Sequence, residues 1–171
     1  MKVIRKSVFE TNSSSTHSVC ISGGDISPSC LIVDDEDNKI HVNFGEYGWG
    51  YDELTSQNER LSYLCTMLIE TECNNIQSVD DIFETKGFKQ INDCIKENCN
   101  CDGIVFDDDL KIKTYKSGEK DVPYVDMNGY IDHQSCEDYR NINDFLNDYH
   151  TDIMNFIFND NVSVIIDNDN H

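Results

Sequence analysis

Runs of β-branched and aromatic residues near the start of the chain predict two strands, at 2–9 and 17–22. Between their apolar parts lies a polar block, Arg5 to Ser18, which is dense in hydroxyl groups and also contains a carboxylate, an amide and an imidazole. A connection between strands is positioned by the scaffold that it joins. We therefore expect this block to be a corner whose side chains are held in place rather than trailing in solvent.

Two pairs of apolar runs flank short acidic turns, which is the pattern of a β-hairpin. The predicted hairpins join 30–33 to 39–44 and 103–106 to 110–115. Two more strands are predicted later in the chain, at 129–135 and 162–166, and each runs into polar residues.

Helical spacing of apolar residues predicts four helices, at 55–71, 78–85, 88–98 and 142–158. Ser56 followed by Glu59 has the pattern of a capping box, and Asn141 is the expected cap of the last helix. Strands and helices do not alternate regularly. We therefore expect an α+β fold, a single domain over 1–171 with a mixed or antiparallel sheet and helices packed mainly on one face.

The segment 45–51 combines glycines and tyrosines with the only tryptophan of the chain. One interpretation is a loop that packs aromatic rings over one end of the sheet. The other is a flexible lid over a ligand, since loops of this kind close many active sites.

The chain is strongly acidic, with 13 Lys and Arg against 33 Asp and Glu and a formal net charge of −20. This charge disfavours direct binding of a nucleic-acid backbone or of an anionic membrane surface. Basic proteins, metal ions and small ligands in a local site are the partners that it allows. No apolar run approaches the roughly 18 residues of a membrane span, and the N-terminus lacks an apolar signal segment. We therefore expect a cytoplasmic protein.

Eight cysteines raise three alternatives, namely a disulfide framework, a zinc site and free thiols. Without a signal segment, and at this chain length, we expect reduced thiols rather than disulfides. Cys94, Cys99 and Cys101 form a local group near Cys73, but their spacing is not that of a zinc knuckle. Buried free thiols are the default interpretation, with structural zinc as the alternative.

Three polar clusters lie at the ends of predicted strands, at 10–18, 132–135 and 167–169. If these strand ends meet, they form a pocket with two histidines, several carboxylates and many hydroxyl groups. Carboxylate and imidazole ligands suit a divalent cation, whose bound water could hydrolyse a phosphate ester or a glycosidic bond. Alternatively, a histidine acts as general base while hydroxyl and backbone N–H groups hold a phosphate. A structural turn whose hydroxyls cap backbone N–H groups also explains the first cluster.

Each residue of these clusters has one predicted role. The candidate catalytic residues are Glu10, His17 and His133. The candidate metal ligands are Asp132, Asp167 and Asp169, and a divalent metal is the only cofactor that the residues indicate. The candidate ligand-binding residues are Arg5, Asn12, Ser13, Ser14, Ser15, Thr16, Ser18, Gln134 and Ser135.

Four segments resemble motifs of a group of uncharacterised proteins from bacteriophages and Firmicutes. They are VFETNSSSTHS at 8–18, YIDHQS at 130–135, FIFN at 156–159 and IIDNDN at 165–170. The resemblance covers both ends of the chain and not its middle. It implies a phage or mobile-element origin, a location in the host bacterial cytosol and a shared polar site, without implying a reaction.

The sequence leaves two functions open. The first is binding, with or without hydrolysis, of a small phosphate-containing or nucleotide-like ligand at the polar site. The second is that of an acidic inhibitor whose carboxylates imitate DNA phosphates and occupy a basic groove of a host nuclease or defence protein. The acidic residues are scattered through several turns, so the pattern permits the second function without requiring it.

Overall fold

Helix α1 (Gln57–Glu72) is the central element of the core, because sheets and helices bury their apolar side chains around it. The structure is a computed structural model that describes residues 2–4, 15–48, 50–74, 76–136 and 138–168. Its helices and its small, mostly antiparallel sheets form the α+β fold that the sequence predicts. None of the helices in the described residues is long and apolar enough to span a membrane.

The other elements are named in chain order. The strands are β1 (Lys2–Ile4), β2 (Ser15–Ile21), β3 (Ile40–Val42), β4 (Glu46–Tyr47), β5 (Asp52–Leu54), β6 (Ile104–Phe106), β7 (Lys111–Ser117), β8 (Lys120–Asp126), β9 (Tyr130–Ile131) and β10 (Val162–Asn168). The remaining helices are α2 (Asp80–Glu84), α3 (Lys86–Cys99), α4 (His133–Cys136), α5 (Ile142–Asp148) and α6 (Ile153–Phe158).

The largest sheet has four strands in the order β1-β2-β10-β5, and all neighbouring strands in it are antiparallel. β10 pairs with β2 along its whole length, from Val162 opposite Ile21 to Asn168 opposite Ser15. The strands predicted at 17–22 and 162–166 are thus confirmed. They are neighbours in space although they lie at opposite ends of the chain.

The predicted hairpin of 30–33 with 39–44 is wrong, because β3 pairs in parallel with β6 instead. In the described structure, 30–33 belongs to no strand. The Gln57 side chain on α1 accepts a hydrogen bond from Cys30 N at 2.9 Å and donates one to the Pro28 carbonyl at 3.1 Å. The Gln57 side chain thus takes the place of a partner strand for this segment. The β-branched residues of 30–33 do not by themselves make a strand, because strand preference depends strongly on tertiary context.

The predicted hairpin of 103–106 with 110–115 is also wrong, because β7 pairs with β8. Gly118 lies in the turn between them with φ +64°, which glycine adopts without strain and which suits the first central position of a type II′ turn. Pro123 has no N–H to donate, and it lies opposite Thr114 in this two-stranded ladder. The described residues therefore form four separate sheets where the sequence predicts one.

The helix predicted at 55–71 is confirmed as α1, including its capping box. Ser56 Oγ accepts from Glu59 N at 3.2 Å, and the Glu59 carboxylate accepts from Ser56 N at 2.9 Å. The next two predicted helices are confirmed as α2 and α3. Local signals of periodicity and capping were sufficient for these elements.

The single helix predicted at 142–158 is two helices, α5 and α6. His150 between them has φ +53°, which a right-handed helix cannot contain. Asp152 then caps α6 by accepting from Asn155 N at 2.8 Å. Asn141 caps α5 as predicted.

The strand predicted at 129–135 is shorter in the structure, where β9 ends at Ile131. The polar residues that follow it turn into α4. Because α4 packs against β2, the cluster at 132–135 does reach the first polar strand. The prediction of a strand that ends in polar groups is therefore right in outline and wrong in length.

The aromatic segment at 45–51 is anchored by Tyr47, which is buried, as the packing interpretation requires. Tyr47 lies in β4, which pairs in parallel with β9, and its hydroxyl donates to Ser62 Oγ at 2.9 Å. Tyr51 is exposed, and Trp49 lies outside the described residues.

Arg60 of α1 joins three parts of the fold through a fully buried side chain. Its Nη1 donates to the Thr55 carbonyl and, at 2.8 Å, to the Val162 carbonyl at the start of β10. Its Nη2 donates at 2.7 Å to the Ile157 carbonyl in the last turn of α6, where the helix dipole favours a cation. One guanidinium therefore fixes α1 against both α6 and β10.

Replacing Arg60 with Met should lower the free energy of unfolding by about 3 kcal/mol or more, because buried carbonyl groups lose their donors. Urea denaturation followed by circular dichroism measures the loss. Lys89→Met is the matched control, since the ion pair of Lys89 with Glu84 is exposed and its removal should cost less than about 1 kcal/mol. Equal losses in the two variants would show that Arg60 does not hold these elements together.

Candidate functional site

His17 is a predicted catalytic residue, and in the structure its side chain is buried, with 7% exposed. It lies on β2 opposite Ile166 of β10, and Val19 is the next residue on the same face. Since successive strand residues point to opposite faces, His17 points with Ile166 and Val19 into the core. The sheet therefore places an imidazole among apolar side chains, where both ring nitrogens need partners.

Tyr63 of α1 supplies one of these partners, because its hydroxyl lies 2.9 Å from His17 Nδ1. A second tyrosine, Tyr149, donates to the main-chain carbonyl of His17 at 3.0 Å. Tyr63 is fully buried, and its ring packs at centroid distances of 5.0 to 6.4 Å against Tyr47, Phe145 and Phe156. The aromatic core thus holds the imidazole in one orientation.

Asp132 approaches His17 from the junction of β9 and α4. Its N–H donates to the Tyr47 carbonyl at 2.8 Å, and its carbonyl accepts from Ser135 N at 2.9 Å. Gly48 permits this approach, since it has φ +148° and a β-carbon on it would lie 2.6 Å from Asp132 Cβ. A glycine beside the junction therefore makes room for the carboxylate-bearing residue.

Burial lowers the pKa of the His17 imidazole to about 4, and the nearby Asp132 carboxylate offsets only part of this effect. His17 is therefore neutral at pH 7. The Tyr63 phenol is also neutral there, because its complete burial raises its pKa well above the usual value. The bond between His17 and Tyr63 thus joins two uncharged groups, either of which can donate the proton.

His17 Nε2 is buried and has no hydrogen-bond partner among the residues that the structure describes. If Tyr63 donates to Nδ1, Nε2 carries the proton and offers an N–H. If Nδ1 carries the proton, Nε2 offers a lone pair that can accept a hydrogen bond or bind a cation. An unmatched buried polar atom costs about 1–3 kcal/mol, which a ligand group that pairs with it would recover.

Ser18 and Asp167 belong to the same pair of strands as His17 but lie on the other face of the sheet. Asp167 follows Ile166, the residue opposite His17, and it is exposed. Ser18 is adjacent to His17 in β2 and is buried on the face opposite to it. Among the described residues, Asp132 is thus the one predicted metal ligand that the fold brings to His17.

The structure gives partial or no information on the other predicted site residues. Ser15 and Thr16 lie in β2, opposite Asn168 and Asp167. The side chains of His133 and Gln134 in α4 lie outside the described part of the chain. Entirely outside it are Arg5, Glu10, Asn12, Ser13, Ser14 and Asp169. The roles of all these residues stay predictions.

A second polar group lies on β3 and the turn before it. Ligand atoms of Asp34, Asp37 and His41 lie within 4.8 Å of one another, and no other potential metal-binding group of this kind occurs in the described residues. His41 is engaged by carboxylates on both sides, with Nδ1 2.5 Å from Asp107 and Nε2 3.4 Å from Asp37. The hydrogen bond with Asp107 raises the pKa of His41. This exposed group is therefore an ion-pair cluster.

All eight cysteines lie in the described part of the chain, and none of them forms a disulfide. Cys99 Sγ lies 3.2 Å from Ser29 Oγ, and Cys101 Sγ donates to a main-chain carbonyl at 3.6 Å. Burial raises the pKa of Cys73 to about 12 and that of Cys94 to about 11. Both thiols are protonated at pH 7, whereas the thiolate is the form that binds metals.

Tyr63 and Gly48 are not among the site residues that the sequence predicts. Tyr63 is one helical turn from Arg60 and from Met67 on the buried side of α1, so periodicity could have marked it as a core residue. Its hydroxyl partner, however, lies 46 residues earlier in the chain. Nothing in the sequence marks that pairing, or the close approach of Gly48 to Asp132.

No protein-family model, curated protein or solved structure matches this chain. The resemblance of its terminal motifs to proteins from bacteriophages and Firmicutes therefore stays a prediction. The geometry around His17 is the basis on which a function can be assigned.

The burial of His17 predicts a loss of stability in acid. The unfolded chain binds a proton on this residue near pH 6.5, whereas the folded protein does so only near pH 4. The free energy of unfolding should therefore be fully retained above pH 6.5 and should fall by about 3 kcal/mol as the pH drops through this window. Urea denaturation at a series of pH values measures the slope.

Two variants separate this effect from the titration of other groups. His17→Gln removes the titrating ring but keeps a polar group for Tyr63, so it should flatten the slope between pH 6.5 and 4. His150→Asn removes an exposed histidine, and Asn tolerates the positive φ of that position, so it should leave the slope unchanged. A slope that His17→Gln does not alter would contradict the burial of a neutral His17.

Proposed function

We propose that the protein binds a small nucleotide-like ligand, with His17 Nε2 and Asp132 among its polar contacts. The observation that supports this proposal most strongly is a buried imidazole nitrogen without a described partner, on a ring that lies within electrostatic range of a carboxylate. Folded proteins satisfy almost all buried polar groups, so an exception calls for an explanation. A ligand that supplies the missing partner explains it.

The chemistry of these two side chains favours the nucleoside part of such a ligand. A carboxylate accepts hydrogen bonds from ribose hydroxyls or base N–H groups, and a neutral imidazole can donate or accept one more. A phosphate placed against Asp132 would meet a like charge. The phosphate contacts are therefore assigned to the positive charge of Arg5 and the hydroxyl groups at 13–15, as the sequence predicts.

Binding is favoured over hydrolysis as the activity of this site. A general base works best when its pKa lies near the working pH. With a pKa of about 4, His17 would accept a proton at pH 7 only at a cost of about 4 kcal/mol. Asp132 and His17 alone would also give a cation fewer protein ligands than the three that a catalytic zinc site usually has.

Isothermal titration calorimetry tests the proposal with a panel of ribonucleosides, their monophosphates, inorganic phosphate and magnesium chloride. We expect at least one nucleoside and its monophosphate to bind. His17→Phe keeps the volume of the ring and removes both nitrogens, and Asp132→Asn removes the charge. Each should weaken binding tenfold or more, which corresponds to about 1.4 kcal/mol.

Two further variants make the result specific. Gly48→Ala keeps both polar groups but adds a β-carbon 2.6 Å from Asp132 Cβ, so it should weaken binding by displacing Asp132. Glu53→Gln removes an exposed charge from β5 and should leave binding unchanged. The proposal fails if no compound binds, or if the two polar variants bind as tightly as the wild-type protein while remaining folded by circular dichroism.

A further inference from the structure

A groove separate from the His17 site runs between α3 and the α5–α6 junction, with a volume of about 440 Å³. Its apolar lining, which we call the floor, is formed by Leu146, Ile153 and Met154. Uncharged polar and thiol side chains complete the lining, namely Gln90, Cys94, Asn143, Asn147 and Thr151. Leu146 is buried, whereas Met154 is 40% exposed and is one of few large apolar side chains with that exposure in the described residues. We call this surface the α3–α6 groove.

The rim of the α3–α6 groove is acidic. Asp93 and Glu97 are exposed on α3, one helical turn apart, and Asp152 faces them from the N-cap of α6. Glu97 and Asp152 both lie close enough to Cys94 to raise the pKa of its thiol, in addition to the larger effect of burial. Carboxylates from two sides therefore converge on one apolar strip, and none of the described lining residues is Lys, Arg or His.

An acidic rim over an apolar floor selects its occupant by charge. Nucleic acid and anionic lipid are excluded by like charge, and the net charge of −20 strengthens that exclusion at long range. A second copy of this chain is equally disfavoured, since it carries the same charge. The lysine-rich β7–β8 hairpin of such a copy would not supply the missing positive charge, because Lys113 already pairs with Asp126 and Lys116 with Asp121.

We propose that the α3–α6 groove docks a basic amphipathic segment of a partner protein, with its apolar side chains on the floor and its Lys or Arg side chains against the rim. This arrangement differs from DNA mimicry. A DNA mimic presents protruding carboxylates to a basic cleft, whereas here the carboxylates border a cleft into which the partner inserts. Docking of an amphipathic segment in a groove combines apolar burial with steering by the complementary charge.

The probe is a short amphipathic helical peptide of Leu and Lys with a fluorescent label, and binding to the full chain is followed by anisotropy. A peptide of the same composition in a scrambled, non-amphipathic order is the first control, and a Leu and Glu peptide is the second. The amphipathic basic peptide should bind at least tenfold more tightly than either control. Its binding should weaken as ionic strength rises.

Matched variants locate the site. The double variant Asp93→Asn with Glu97→Gln should weaken binding of the amphipathic peptide about tenfold. The control double variant, Asp35→Asn with Glu36→Gln, removes the same charge from an exposed turn that does not line the groove. It should change the affinity for the peptide less than threefold. Met154→Gln should weaken binding without any change in charge. Equal effects of the two charge pairs, equal binding of the scrambled peptide, or no binding of the amphipathic peptide would each overturn the proposal.

Discussion

The buried guanidinium of Arg60 is the interaction on which the relative positions of the helices and the main sheet depend. Its two terminal nitrogens donate to carbonyl groups of Thr55, Ile157 and Val162, so the charge is met by main-chain dipoles of the segment before α1, of α6 and of β10. A buried charge is costly without such partners. This cost makes the arrangement selective, because moving α6 or β10 away from α1 would leave the guanidinium without its acceptors.

The His17 site follows from the same arrangement. Once β10 is fixed against α1, its pairing with β2 places His17 beside Tyr63, and burial there keeps the imidazole neutral. The protein therefore has a neutral polar centre inside a strongly acidic molecule. We accordingly propose different partners for the two, a ligand with hydroxyl and N–H groups for the interior and a cationic segment for the α3–α6 groove.

Sequence reasoning succeeded where structure is set locally and failed where it depends on contacts distant in the chain. The capping box at Ser56 and the periodicity of α1 identified that helix correctly. Both predicted hairpins were wrong, because a turn-like sequence between two apolar runs does not prevent either run from pairing with a distant part of the chain. Cys30, for example, donates its N–H to the Gln57 side chain. Of the polar residues predicted at strand ends, Asp132 lies within electrostatic range of His17. Alternation along β10 puts Asp167 on the opposite face of the sheet.

The most direct test of the His17 site is an NMR pH titration of the ring nitrogens in protein labelled with ¹⁵N-histidine, without any ligand. A buried neutral imidazole predicts that the His17 signals keep one neutral tautomer from neutral pH down to about pH 5, because the pKa is about 4. It also predicts that Tyr63→Phe changes the Nδ1 signal. Titration of His17 near pH 6.5, as for a solvent-exposed histidine, would contradict the site.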